Sequence, residues 1–208
     1  MMTEVHGEQP LALGFLTVVD QPSQGLIGGY LLLNAHARPL EFHCTVPVRA
    51  NRAQEILYGT TLEPYLYGEQ IGSTLIKTSG LRPAAVFTDL PPALAAAEHI
   101  AAPLWLVMPP DDAAQAKSAD DGNRSSISSS AQSPDRVDRA HRQPADLAMS
   151  RWGRNCLARR AGQTGARDGG DSTESDDERL AQWAGALDLF EPFERIRAAI
   201  QESQRGWR

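Results

Sequence analysis

Leu40-Glu41-Phe42-His43-Cys44-Thr45-Val46 alternates apolar and polar residues without a break. Period 2 over this length marks a strand with one face buried, a pattern typical of antiparallel sheets. On this pattern Leu40, Phe42, Cys44 and Val46 face the core, and Glu41, His43 and Thr45 line the opposite face. Upstream, residues 11–20 and 26–34 are apolar on both faces and rich in strand formers, with the turn cluster Gln21-Pro22-Ser23-Gln24-Gly25 between them. Burial on both faces predicts that the second of these strands lies inside the sheet. Gly28 and Gly29 within it predict a bulge or a close approach to its backbone. Strand, turn, strand, turn, strand is an antiparallel meander.

Pro47 closes the third strand. Asn51 and Gln54 have the spacing of a capping box, and Gly59 is placed to end the helix they start. A second helix is predicted from Thr60 or Thr61 to about Thr78, with Pro64 in its first turn and Gly80 as its stop. Tyr67, Ile71 and Leu75 share one face of it. Gly68 and Gly72 either let it lie close to the sheet or weaken it. Residues 84–89 and 103–108 read as short strands flanking an Ala-rich helix at 91–100, a βαβ unit whose strands run parallel. Residues 11–110 thus predict an α+β domain. Its plan is a three-stranded antiparallel meander followed by helix, helix, strand, helix and strand, giving a mixed five-stranded sheet.

The chain has 208 residues and a net charge of −6, unevenly spread. From Asp111 to Glu178 it is rich in Ser, Arg and Asp and poor in aliphatic runs, as in Ser125-Ser126-Ile127-Ser128-Ser129-Ser130. Too little apolar surface is available there to offset the entropy of ordering, so residues 111–178 are expected to be disordered, as is a flexible N-terminus over 1–10. Within that stretch residues 132–167 hold eight arginines and three aspartates, with an acidic run directly after. Such blocks either neutralise each other or form a masked arm for nucleic acid. Arg151-Trp152-Gly153-Arg154 and Arg159-Arg160 combine guanidinium and aromatic groups as single-strand binders do. Residues 179–208 return to helical spacing, with Trp183, Leu187, Phe193 and Ile196 on an apolar face expected to dock on the domain. The alternative is a partner-binding helix.

Cys44 and Cys156 make no disulfide framework and no zinc pattern. No apolar run approaches the roughly 20 residues a membrane span needs. Glu4, His6 and Glu8 occupy the place where a signal peptide would carry basic and then apolar residues. A soluble cytoplasmic protein is the expectation, with no membrane involvement.

Chemistry is harder to place. His43 and Cys44 are neighbours on a strand and point to opposite faces, so imidazole cannot activate the thiol, and Cys44 reads as a small core residue. Glu41, His43 and Thr45 either line a binding site or form a solvated face. No dinucleotide, P-loop or HExxH motif is present.

The element order, together with Asp20 at the end of the first strand, Glu55 on the first helix and Thr88-Asp89 ending the fourth strand, resembles the ribonuclease H-like superfamily. That resemblance covers residues 11–110. It implies that Asp20 and Asp89 sit side by side and, with Glu55, hold divalent metal (Mg²⁺) for phosphodiester cleavage. The expectation carried forward is a non-catalytic binding or regulatory module without a cofactor, meeting a protein partner rather than nucleic acid. A metal-dependent nuclease is the alternative.

Overall fold

The computed structural model of the protein describes residues 11–109, 147–160 and 173–205. The expectations for the N-terminus over 1–10 and for residues 111–146 and 161–172 lie outside the described residues. Three strands open the fold as the sequence pattern predicts. β1 (Ala12–Gln21) and β2 (Gly25–Asn34) pair antiparallel along their whole length, Ala12 opposite Asn34 and Gln21 opposite Gly25. β3 (Pro39–Cys44) pairs antiparallel with β2, Leu31 opposite Phe42, with a bulge at Leu32/Leu33. The Asn34 side chain holds the β2–β3 turn by accepting the N–H groups of His36 (2.9 Å) and Arg38 (3.1 Å).

Helix α1 (Arg52–Tyr58) begins in the predicted capping box. Asn51 Oδ1 accepts the Gln54 N–H at 2.9 Å, and Gln54 Oε1 accepts the Asn51 N–H at 3.0 Å. Gly59, at φ +51°, ends it with its N–H on the Glu55 carbonyl. The second predicted helix is not uniform. A 3₁₀ turn (Gly59–Thr61) leads into the single turn α2 (Leu62–Pro64), then eight residues of wide π turns (Tyr65–Gly72), then α3 (Ser73–Thr78). Gly68 and Gly72 lie in the widened stretch, and the Ser73 and Thr74 hydroxyls donate to carbonyls four residues back. Gly72 lies against Leu16 of β1 and so brings this helical segment close to the sheet, whereas Gly68 lies against Ala95 and Ala96 of the Ala-rich segment.

β4 (Ala85–Thr88) runs parallel to β1, and β5 (Leu104–Met108) parallel to β4, as a βαβ unit requires. The connection between them, Pro91–His99, is a 3₁₀ helix rather than the expected α-helix. The sheet then grows beyond the five expected strands. Residues 147–160, assigned to disorder on composition, form a hairpin of β6 (Leu147–Trp152) and β7 (Asn155–Arg160). Gly153, at φ +59°, makes its two-residue turn possible. The physical reason is packing outside the hairpin: β7 pairs with β5, and Trp152 lies 4.6 Å from Trp105 between ring centroids. Asn155 donates to the carbonyls of Ala184 and Leu187 at 2.8 and 3.0 Å. Among the described residues the sheet has seven strands in the order β3-β2-β1-β4-β5-β7-β6.

Both faces of the sheet's inner strands are covered. On one, Leu16, Val18, Tyr30, Leu32, Val86 and Leu104 pack against Ile71, Leu75, Leu94 and Ala96. On the other, Leu13, Phe15, Leu31, Leu33, Phe87 and Val107 meet two C-terminal helices, α4 (Thr173–Ala186) and α5 (Glu191–Arg205). The amphipathic segment expected over 179–208 thus starts earlier, within the stretch assigned to disorder, and docks on the domain. Phe193 and Ile196 are fully buried, while Trp183 and Leu187 are partly so. Gly28 and Gly29 explain how helices reach both faces of β2. A Cβ on Gly28 would run into Ile71 and Leu75, and one on Gly29 into Ile196 and Ile200. The close-approach reading of the pair holds, and it holds on both sides.

The alternating strand is where the sequence reading inverts. Leu40, Phe42 and Val46 are 39%, 40% and 79% exposed, and Cys44 is exposed rather than a core residue. Glu41, His43 and Thr45 are the half-buried side. Two facts account for this. β3 is the outermost strand, and α5 lies over β1 and β2 rather than over β3. The polar side instead meets the end of α3.

Among the docked side chains Phe193 meets Phe15 edge-on, with ring centroids 5.7 Å apart. Phe193→Ala is expected to lower stability by about 3–5 kcal/mol, read as a fall in the urea midpoint at unchanged slope.

Candidate functional site

The carboxylates expected side by side are not brought together. Leu16 is opposite Thr88 in the parallel β1–β4 pairing, so Asp89 is level with Thr17. Asp20 is three residues further on, about 10 Å along the strand. Their faces differ as well. Asp20 acts on Tyr67, whose phenol it helps hold above its ordinary pKa after the larger effect of burial, and Tyr67 belongs to the helix layer of α2 and α3. Asp89 is 8% exposed and pairs with Arg197 of α5, on the other face. Glu55 is 45% exposed and paired with Arg52 at 2.9 Å on α1, a helix that buries none of its residues. No group of three His, Cys, Asp or Glu side chains among the described residues is arranged to hold a metal. The three acids do not fit a shared divalent ion.

Asp89 has a different use. Its Oδ2 takes the Arg197 guanidinium, which also reaches Glu194 Oε1 at 3.0 Å, so α5 is tied to the end of β4. Asp89 Oδ1 and Thr17 Oγ1, both buried, have no hydrogen-bond partner among the described residues.

Glu41, His43 and Thr45 do lie in a row, and all three are engaged. His43 Nε2 lies 3.0 Å from Glu41 Oε2, the Ser79 hydroxyl donates to the same oxygen at 2.8 Å, and the Gly80 N–H at 3.1 Å. These contacts, His43 first and Ser79 second, hold the Glu41 carboxyl below the ordinary carboxylate range. Thr45 Oγ1 accepts the Gly28 N–H at 2.9 Å while its own N–H bonds Gly28 O at 3.0 Å. The polar row fastens β3 to β2 and to the end of α3. Glu41 Oε1 stays outside this network.

The other side of β3 is the unusual surface. Thr45 and Gly28 form a hydrogen-bonded pair, and such pairs alternate along an antiparallel ladder. His43 opposite Tyr30 is therefore the next one, and the backbone groups of Phe42 and Cys44 point away from β2, toward the open edge. An edge strand commonly protects itself with charge or shortness. Here Pro39 and Pro47 flank the edge, but its outer face presents Leu40, Phe42, Cys44 and Val46. Apolar side chains beside backbone groups that pair with no strand among the described residues are the two elements that strand addition uses.

Open hollows lie elsewhere on the described surface. One, of about 320 Å³, lies between β1 and α5 and is lined by Val19, Gln21, Glu194, Arg197, Ile200 and Gln201. Another, of about 270 Å³, is lined by Tyr58, Tyr65, Glu69, Ala95 and Glu98, with the tyrosine rings stacked at 4.3 Å. Neither brings convergent reactive groups together. Arg159 of the Arg/Trp cluster stacks on Trp105 at 4.7 Å and Trp152 packs inward, so part of that motif is used in folding. No helix among the described residues is long and apolar enough to cross a membrane. Compared with known proteins, the chain matches no family model, no curated protein and no solved structure at a significant level.

Period-2 alternation found the residues of this surface and gave them the wrong orientation. The missing signal was their position at the sheet edge, which depends on the order of all seven strands.

The Glu41 network makes stability depend on pH with a defined sign. A carboxyl whose folded pKa is depressed contributes fully above its unfolded value, about 4.3 for Glu, and loses that contribution as pH falls through the lower folded value. The melting-temperature gap between the native chain and Glu41→Gln should be largest near neutrality and shrink on acidification below about pH 4. A gap that widens in acid would contradict the assignment.

Proposed function

We propose that the protein is a non-catalytic binding module that engages a protein partner through the open edge of β3. The observation that carries this reading is the exposed apolar row Leu40, Phe42, Cys44 and Val46, set beside the outward-facing backbone of Phe42 and Cys44. A partner strand would gain hydrogen bonds from the edge and side-chain contacts from the row, the usual division between affinity and specificity in strand addition. A cytoplasmic setting belongs to the same reading. Cys44 and Cys156 are unpaired thiols, a form that reducing compartments preserve.

The strand order supports a ribonuclease H-like plan: an antiparallel meander β1 to β3, then β4 and β5 added parallel on the other side of β1. Fold does not bring function with it. With Asp20 and Asp89 on opposite faces of the sheet, we read the plan as kept and the cleavage chemistry as absent.

Two measurements test the reading. Selection from a library of random peptides should enrich extended sequences with apolar residues at alternate positions, and Phe42→Lys should abolish the enrichment. Enrichment that ignores Phe42 would remove β3 as the docking edge. Purified protein should leave an RNA–DNA hybrid intact with Mg²⁺ or Mn²⁺. Cleavage lost on Asp89→Asn would establish the nuclease instead.

A further inference from the structure

We infer that the occupant of the β3 edge is β3 of a second copy of this chain, paired antiparallel about a two-fold axis at Phe42. The inference rests on the reading of β3 as a docking edge and names its partner. Antiparallel pairing about Phe42 sets Phe42 against Phe42 of the other copy, Leu40 against Cys44, and Glu41 against His43. Because the backbone groups of Phe42 and Cys44 face outward, the Phe42 pair is a hydrogen-bonded one.

The segment is complementary to itself in two respects. The apolar residues of both copies fall on one face of the joined sheet, where directly opposed side chains stand about 4.5–5.5 Å apart at Cβ and aromatic pairs are favourable. On the other face Glu41 of each copy meets His43 of the other, a carboxylate opposite an imidazole. All three donors on Glu41 go to Oε2. Oε1 remains to accept from Nδ1–H of the second copy's His43 when that ring is the imidazolium, since Nε2 alone is used within its own chain. A register centred one residue later would set His43 against His43 and Glu41 against Thr45, losing the carboxylate–imidazole match. The two-fold axis closes the assembly, so the pairing makes a dimer and not a filament.

Sedimentation of the full chain over a dilution series should show a species of twice 22.6 kDa that dissociates on dilution. Phe42→Lys should weaken association about tenfold or more, a difference a dilution series resolves. Phe42 is partly exposed, so this variant is expected to keep the native circular dichroism spectrum.

The register has its own test. In a Cys156→Ser background, Leu40→Cys should cross-link to Cys44 of the other copy under mild oxidation, giving a covalent dimer in denaturing gels. Within one extended chain, positions 40 and 44 stand about 13 Å apart, too far for a disulfide. A cross-link only from Phe42→Cys to Cys44 would overturn the Phe42-centred register. A chain that stays monomeric yet selects peptides through Phe42 would overturn the second copy as occupant and keep the docking edge. A monomer that selects nothing through Phe42 would remove both.

Discussion

Two adjacent glycines in β2 govern the arrangement of the rest. Gly28 and Gly29 point to opposite faces of the sheet, and each is met by an isoleucine from a different helical layer, Ile71 on one side and Ile196 on the other. A side chain at either place would push its helix off the sheet. With both helices in contact, β1 and β2 are buried on both faces, and the core becomes two layers sharing one sheet. The C-terminal helices are therefore part of the fold, although a long stretch of chain separates them from β5.

The same grip explains what the molecule leaves open. Helix α5 is held over β1 and β2 by Gly29, by Phe193 against Phe15, and by Arg197 on Asp89. That placement leaves β3 outside the covered area. On its other side β3 is fastened by Glu41 to Ser79 and Gly80, which fixes its polar residues inward and turns its apolar residues toward solvent. Using Asp89 to anchor α5 also commits the carboxylate that a metal centre would need. The architecture and the separation of Asp20 from Asp89 thus follow from one arrangement of helices on the sheet.

Local signals in the sequence read well. The Asn51–Gln54 capping box, the Gly59 stop, the meander and the parallel β4–β5 pair all depend on residues close to one another along the chain, and each stands in the structure. Signals that depend on distant partners read poorly. The hairpin at residues 147–160 lies in polar text, and its Trp152 and Asn155 gain their meaning from Trp105 and from the end of α4. Alternation in β3 announced one half-buried face without saying which. Apolar-in is the usual answer, and at this edge Ser79 and Gly80 reverse it. The candidate acids do not converge for a related reason: the parity that puts Asp20 and Asp89 on opposite faces shows only once register is fixed.

The double-sided grip on β2 is tested most directly by equilibrium urea denaturation of Gly28→Ala and Gly29→Ala. In a strand with room on both faces, Gly→Ala raises stability by about 0.4–1 kcal/mol, because the unfolded chain loses freedom. Against Ile71 and Ile196 the added methyl has no room, and each variant should instead lose about 1–3 kcal/mol. A gain in stability at either position would contradict the account.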